Sequence, residues 1–280
     1  MVHQTLQQKT PPTVMQRFLR KVLYRPLLAI NGGDRALTRL DLAYLQHLLL
    51  GIAPDSSLRP VSKLWWPEKI ALVLDGIRQT QSVPGHIVEL GAYKGGATLL
   101  MAEALQELSK TSSASHQGEW PSKTAPRHRQ LLAFDSFCGY PAPGERDRMD
   151  NGKFHYAQGH HGDTSLAYVD KVLRLYGVRD LVSLYKGWLE LTLPVNVSPS
   201  ACFSLVLLDC NHYASAHYAL NFFYDKLSPG GIFLVDDYRR PEQPYHPEAP
   251  GIKKAVDEFL ADKPEVLTHG AYSMWSFTKV

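Results

Sequence analysis

The spacing of apolar residues divides the chain into two parts. In the first 80 residues, apolar positions recur three or four apart, as in amphipathic helices, over 14–28, 34–52 and the segment that follows Pro67. A proline suits the first turn of such a helix, where its missing N–H would be unpaired anyway. The pattern predicts a helical N-terminal section over residues 1–80, serving as a lid over a site or as an oligomerisation surface.

From residue 81 to residue 280 short apolar runs alternate with helical segments. The apolar runs predict strands at 86–90, 131–137, 181–188, 204–210, 232–238, 265–270 and 272–280. Helices are predicted between them at 98–110, 165–178, 216–227 and 252–262. This alternation builds a parallel sheet covered on both faces, so residues 81–280 are predicted to form one α/β domain. The last two strands lack an intervening helix and should form an antiparallel hairpin.

Three connecting segments carry their own signals. The polar residues 110–130 predict a flexible loop, and the sequence SPGG at 228–231 predicts a turn. Asp163 and Thr164 are expected to cap the helix that follows them, because their side chains can accept hydrogen bonds from its first N–H groups.

Acidic residues lie in or directly after four of the predicted strands: Glu89, Asp135, Asp209 and the pair Asp236 and Asp237. In a doubly wound sheet, ligands bind outside the carboxyl ends of the strands. Isolated acids at strand ends often cap the next helix, but four such strand ends in one sheet favour a shared site.

A glycine-rich turn follows the first strand of the domain, in the sequence VELGAYKGGAT. Gly91 and Gly95 allow a tight turn and a close approach of the backbone to a ligand, although the spacing differs from that of dinucleotide enzymes. Asp135 could accept both hydroxyls of a ribose, and Trp188 could cover a purine or simply pack in the core. Together these features predict a nucleoside cofactor.

Asp209, Asp236 and Asp237 would repel one another at one sheet edge unless a cation lies between them. A hard divalent ion such as Mg²⁺ suits oxygen ligands and keeps positions for water or substrate. The alternative is neutralisation by a basic side chain, for which the sequence offers Lys253, Arg239 and Arg240.

Six segments, in order, resemble the macrocin O-methyltransferase (TylF-type) family of S-adenosylmethionine enzymes: VELGAYKGGAT, AFDSF, YKGWLELTLP, LLDCNHYASAHYAL, KLSPGGIFLVDDY and KKAVDEF. The resemblance covers roughly residues 83–260. It implies a Rossmann-like class I methyltransferase sheet below a helical N-terminal lid. It also implies Mg²⁺-dependent methyl transfer from S-adenosylmethionine to a hydroxyl of a small molecule, often a natural-product sugar.

The resemblance also implies roles for individual residues. The implied cofactor-binding residues are Glu89, Gly91, Tyr93, Gly95, Thr98, Asp135, Ser136, Trp188 and Asp209. Within this set, Asp135 and Ser136 would hold the ribose and Trp188 would lie near the adenine. The implied metal ligands are Asp209, Asp236 and Asp237.

Asn211 departs from the family pattern, which has an aspartate there as the proposed base. An amide cannot act as a base at neutral pH. His212 could take the proton instead, the metal could acidify the hydroxyl enough for water to suffice, or the acceptor could already be acidic. A catalytically altered protein that binds S-adenosylmethionine is the remaining alternative. A nicotinamide-dependent oxidoreductase fits the glycine spacing and the three acids poorly.

Two loops are expected to contact the acceptor. His160 and His161 lie in the loop after the second strand, and Tyr245 and His246 lie in the proline-rich loop 239–251. Both loops follow strands that end at the predicted functional edge.

The composition bears on the partners and the cellular compartment of the protein. The formal charge of +3 is too weak to indicate nucleic acid, and no apolar run approaches the about 20 residues of a membrane helix. The three cysteines form no CxxC pair, which favours a reduced, cytoplasmic protein. The expected partners are a hydroxyl-bearing small molecule and a second copy of the chain in a dimer.

Overall fold

In the computed structural model, residues 67–115, 129–239 and 249–280 are described. The predicted helices at 14–28 and 34–52, together with Arg240, Tyr245 and His246, lie outside these residues. The strands are β1 (His86–Leu90), β2 (Leu131–Asp135), β3 (Val182–Lys186), β4 (Phe203–Leu208), β5 (Leu227–Val235), β6 (Thr268–Ala271) and β7 (Met274–Thr278). The helices are α1 (Pro67–Gln79), α2 (Gly96–Ser115), α3 (Leu166–Leu175), α4 (Leu189–Asn196), α5 (Tyr213–Tyr224) and α6 (Pro250–Leu260).

The strands form one seven-stranded sheet in the order β3-β2-β1-β4-β5-β7-β6. Strands β1 to β5 pair in parallel, and β7 pairs antiparallel with both β5 and β6. The α/β prediction and the terminal hairpin are confirmed. The strand order places the carboxyl ends of β1 and β4 side by side at the centre of the sheet.

Alternate residues of the central strands face two separate apolar layers. Ile87 and Leu205 contribute to one layer, and Val88 and Val206 contribute to the other. Helices α1 to α3 supply buried residues to the first layer, whereas α4 to α6 supply the second. Because both faces are covered, the central strands are mainly apolar, and their acidic residues lie at or near their carboxyl ends.

Three local predictions are wrong. The segment 228–231 lies within β5 instead of forming a turn, because Gly230 (φ 79°) lets the strand bend while Lys279 stays hydrogen-bonded to Gly230 and Gly231. The α3 cap is Ser165, whose hydroxyl accepts from the Tyr168 N–H. The segment predicted as a loop from residue 110 continues α2 as far as residue 115.

Candidate active site

A cavity of about 460 Å³ opens at the carboxyl edge of the sheet, where β1 to β5 end. Its lining combines predicted site residues with tyrosines and histidines of the loop that follows β2. Predicted residues in the lining are Gly91, Tyr93, Asp135, Ser136, His160, His161, Trp188, Asp209, Asn211, His212 and Asp237. The structure therefore brings both predicted halves of the site, the nucleoside half and the acidic half, to one cavity.

The glycine turn after β1 makes its closest approach at Gly91. This residue has φ 106°, and a β-carbon there would lie 2.2 Å from the backbone oxygen of Asp209. Only glycine therefore lets the end of β1 pass against the end of β4. Gly95, also with positive φ, packs against the Val169 side chain, whose Cγ1 would lie 2.7 Å from a β-carbon there.

Substituting Gly91 with alanine should lower the free energy of unfolding by about 2–5 kcal/mol, from backbone strain and overpacking together. Urea denaturation measures the effect. Gly152→Ala is the matched control, because Gly152 has φ 78° but nothing within 4 Å of its β-carbon position. The control should lose only about 1–2 kcal/mol, the cost of the left-handed conformation. Equal losses in the two variants would refute the close-approach argument.

Asp135 ends β2 with both carboxylate oxygens hydrogen-bonded to backbone. It accepts from the Tyr93 N–H at 2.8 Å and from the Phe137 N–H at 2.6 Å. Burial raises its pKa, and the two N–H groups oppose that shift. These bonds orient the carboxylate at the cavity wall, and its remaining lone pairs can accept ribose hydroxyls. Neighbouring Ser136 instead donates to the Gly139 carbonyl, within its own turn.

Glu89 and Thr98 lie beneath the glycine turn and outside the cavity lining. The Thr98 hydroxyl donates to Glu89 at 2.5 Å, and burial raises the pKa of Glu89 to about 8. Their contact with a cofactor stays a prediction. The pair links β1 to α2 directly below the turn.

A polar clamp joins the glycine turn to the loop after β2. The Tyr93 hydroxyl and the Lys94 ammonium donate to the two oxygens of Asp163, at 2.8 and 2.6 Å. The Thr164 hydroxyl donates to the Tyr93 carbonyl at 2.5 Å. Asp163 and Thr164, predicted as helix caps, serve this clamp. It holds His161 against the ring of Tyr93, with centroids 5.4 Å apart.

Asp209, Asp236 and Asp237 converge as predicted, each offering an oxygen within 4.8 Å of the others. Asp209 and Asp237 line the cavity, and Asp236 lies behind them. Burial, followed by repulsion within the cluster, raises the pKa of Asp209 and Asp236. Three carboxylate oxygens at this spacing fit a hard divalent cation.

The basic residue at the cluster is Lys69 of α1, which the sequence prediction missed. Its ammonium lies 2.6 Å from Asp236 Oδ1 and 3.8 Å from Asp237 Oδ1. Burial lowers the pKa of Lys69, but the charges of Asp236 and Asp237 outweigh it and the net shift is upward. The proposed role of Lys253 is wrong, because that side chain pairs with Asp257 one helical turn away on α6.

Asn211 and His212 lie between β4 and α5, beside the acidic cluster. The Asn211 amide donates to the Tyr140 hydroxyl at 2.5 Å, and the Tyr140 ring packs on His212 with centroids 4.9 Å apart. Neither ring nitrogen of His212 has a hydrogen-bond partner among the described residues. Burial lowers the pKa of His212, opposed by the charge of Asp147 and by a contact with the Tyr156 backbone.

Tyr140 and Tyr156 form the wall opposite the strand ends. Their rings stack with centroids 4.7 Å apart, and His160 packs against Tyr156. Burial and the nearby acidic cluster raise the pKa of both phenols, which are therefore protonated donors. No periodicity marked these tyrosines in the sequence. Their position in a loop that follows a β-strand was the only available signal.

The sheet order, the glycine turn and the acids at the strand ends define a Rossmann-like class I methyltransferase fold. A family model described as macrocin O-methyltransferase (TylF) matches residues 69–263. The chain belongs to that family, whose members are S-adenosylmethionine-dependent O-methyltransferases. No helix within the described residues is long and apolar enough to span a membrane.

Two curated relatives show the extent of the similarity. Demethyldecarbamoylnovobiocin O-methyltransferase of Streptomyces niveus is 30% identical over 67% of this chain and 65% of its own length. Mycinamicin III 3''-O-methyltransferase of Micromonospora griseorubida is 28% identical over 57% of each chain. The matched region thus spans less than two thirds of these two relatives.

Solved structures share the fold. The O-methyltransferase NovP superposes with a TM-score of 0.59 at 24% identity, over 76% of this chain and 80% of its own. A calicheamicin methyltransferase gives the same TM-score of 0.59 at 18% identity, over 99% and 98% of the two chains.

Proposed function

We propose that this protein transfers a methyl group from S-adenosylmethionine to a hydroxyl of a natural-product sugar or a related metabolite, with a divalent cation at the acidic cluster. The observation that carries the proposal is the shared cavity. A glycine turn with a ribose-oriented carboxylate occupies one end, and Asp209 and Asp237 occupy the other. A methyl donor and a cation-bound acceptor could therefore meet within one enclosure.

At the cofactor end, each residue has a defined task. Asp135, held by two backbone N–H groups, accepts the ribose hydroxyls. Trp188 lies half-buried in the cavity wall, where its ring can cover the adenine. S-adenosylmethionine supplies the sulfonium methyl. The protein contributes mainly by fixing the distance and direction of attack.

The donor set of the acidic cluster supports Mg²⁺, which would lower the pKa of an acceptor hydroxyl. Asp209 and Asp237 would hold it from the cavity side. Because Asn211 cannot accept a proton, we assign the base to His212, whose burial favours the neutral imidazole and which lines the cavity beside the acidic cluster. The Tyr140 phenol, accepting from Asn211, can direct its own proton toward the acceptor oxygen.

The sugar acceptor is supported by relatives and by the cavity. One further relative, from Streptomyces olivaceus, is named as the 4'-O-methyltransferase of a rhamnosyl-bearing tetracenomycin and is 29% identical over 70% of this chain. Aromatic rings such as Tyr140 and Tyr156 suit the apolar faces of sugars, and the phenol and imidazole groups suit their hydroxyls.

Calorimetric titration of S-adenosylhomocysteine tests the cofactor half of the proposal. Wild type should bind, and Asp135→Asn should bind at least about tenfold more weakly, because the carboxylate accepts the ribose hydroxyls as a charged group. Asp262→Asn, a mostly exposed aspartate on the surface, is the matched control and should bind like the wild type. Absence of binding to the wild type would refute the proposed function.

A cofactor-binding protein without transferase activity is the second candidate, and Asn211 is the residue that favours it. A screen of hydroxylated sugars and glycosides with radiolabelled S-adenosylmethionine separates the two. Methyl transfer to any of them supports the enzyme. Tight cofactor binding with no transfer across the screen supports the second candidate.

A further inference from the structure

Lys69 is a buried cation whose position needs an explanation. Its side chain is 1% exposed, between the buried core residues of α1 and the carboxyl end of β5. Lysines are almost never fully buried unless they are paired. Here the ammonium donates to Asp236 at 2.6 Å, and Asp237 lies at 3.8 Å. The lysine is thus built into the acidic cluster.

The cluster has two sides. Lys69 approaches Oδ1 of Asp236 and Oδ1 of Asp237 from the protein interior, and the Ser273 hydroxyl lies 3.4 and 3.3 Å from the same two oxygens. Neither Lys69 nor Ser273 lines the cavity, whereas Asp209 and Asp237 do. The interior side is therefore occupied by fixed donors, whereas Asp209 and Asp237 face the cavity.

The formal charges show what this arrangement achieves. Three carboxylates converge within 4.8 Å, and one ammonium is held against them. Ionised, the group keeps two negative charges, which match one divalent cation. Without Lys69, Asp236 would lose the buried ammonium 2.6 Å away, and the mutual repulsion of the three carboxylates would rise in a buried space until a metal bound, which is strongly unfavourable.

We propose that Lys69 is a built-in counter-ion: it keeps the acidic cluster assembled in the metal-free protein and limits how tightly the cluster binds a divalent cation. The inference rests on the metal half of the proposed function. Lys69 is a positioning residue here, since it acts through Asp236 and Asp237. The competing explanation is an ordinary core ion pair, whose loss would weaken the fold equally with and without metal.

Lys69→Met keeps the length of the side chain and removes its charge. Its melting temperature should drop sharply in EDTA and recover largely in MgCl₂, whereas the wild type should respond weakly to Mg²⁺. Titration of MgCl₂ alone should give a dissociation constant roughly 10–100-fold lower for the variant, because the positive charge that competes for the same carboxylates is gone. Lys69→Arg, which keeps the charge, should retain the wild-type Mg²⁺ affinity.

The double variant Lys69→Met/Asp236→Asn keeps the test decisive if the single variant does not fold. It removes one charge of each sign, so it should fold in EDTA and bind Mg²⁺ about as the wild type does. A double variant as unstable in EDTA as Lys69→Met would overturn the proposal, because the loss would then come from packing. A Lys69→Met variant with equal losses in EDTA and MgCl₂ would overturn it too.

The outcomes separate this inference from the proposed function. Suppose that the wild type binds S-adenosylhomocysteine and Mg²⁺, and that Lys69→Met changes neither the Mg²⁺ affinity nor the effect of Mg²⁺ on the melting temperature. The counter-ion proposal is then wrong, and the proposed function stands. If the wild type binds no Mg²⁺ but Lys69→Met gains metal-dependent stability, the counter-ion is supported and the metal half of the proposed function fails.

Discussion

Replacing His212 with phenylalanine is expected to lower kcat by about 10²–10⁴-fold, the contribution of a positioned general base. The same change should leave the free energy of unfolding unchanged or raise it. His212 is 4% exposed and its ring nitrogens make no hydrogen bond of good geometry with the described residues, so a phenylalanine of similar shape should cost the fold little. Single-turnover methyl transfer and urea denaturation measure the two quantities.

The pH dependence of activity and of stability should also identify His212. The pKa of His212 in the folded protein lies below its usual 6.5, so activity that needs the neutral ring should hold at pH 7 and fall only in more acidic solution. Between that lowered pKa and 6.5 the unfolded chain binds more protons than the folded one, so this residue makes stability fall as the pH falls through the window. His212→Phe should lack that component.

Two further histidines serve as controls. His217→Gln alters an exposed residue of α5, and His160→Gln alters a residue of the loop after β2. The first should leave kcat unchanged, and the second should act mainly on KM if its ring contacts the acceptor. If kcat falls more for His160→Gln than for His212→Phe, the general base is His160, and its assignment to His212 is wrong.

Replacing Asp147 with alanine should lower the free energy of unfolding by about 2–4 kcal/mol, because two backbone N–H groups lose a charged acceptor. Asp147 is 6% exposed and accepts from the Tyr213 N–H at 2.6 Å and from the Gly144 N–H at 2.8 Å. It fastens the loop after β2 to the first turn of α5, next to His212. Urea denaturation checks the loss, and a weaker apparent affinity for the acceptor should accompany it.

Asp150→Ala is the matched control, since Asp150 is exposed in the same loop. It should stay within about 0.5 kcal/mol of the wild type, as surface substitutions usually do. If the free energy of unfolding falls equally in the two variants, the inference that Asp147 fastens the loop is wrong.

The acids at the strand ends could be predicted from the sequence, because short apolar runs locate the strands and helical periodicity marks the segments between them. Apolar runs located β2, β4 and β5, and parallel strands bring their carboxyl ends to one edge, so the convergence of Asp209, Asp236 and Asp237 followed. The glycine turn could also be predicted from the sequence. Gly91 has a positive φ and lies close to the backbone of Asp209, and a side chain would obstruct both.

Lys69 could not be predicted, for a physical reason. It lies on α1, and 167 residues separate it from Asp236. Along the sequence it looks like an ordinary polar position in an amphipathic helix, because its burial depends on how α1 packs against the sheet. Lys253, which is closer to the acids in sequence, was for that reason the wrong place to search, because it pairs with Asp257.

Tyr140 and Asp147 were missed for a similar reason. Both lie in the irregular segment between β2 and α3, where no helical or strand period reports which side chains turn inward. The sequence predicted Asp163 and Thr164 as the cap of α3, whereas the structure uses Ser165; all three consecutive residues are good caps. Tertiary contacts with the glycine turn decided between them.

The loop of residues 136–165 is fastened to the rest of the domain at two points. Asp163 ties it to Tyr93 and Lys94, and Asp147 ties it to α5. Between these two points lie Tyr156, His160 and His161, which line the cavity. For protein engineering, the residues between Asp147 and Asp163 can be exchanged to change the choice of acceptor. Both aspartates must be retained, because they hold the loop against the unchanged glycine turn and α5.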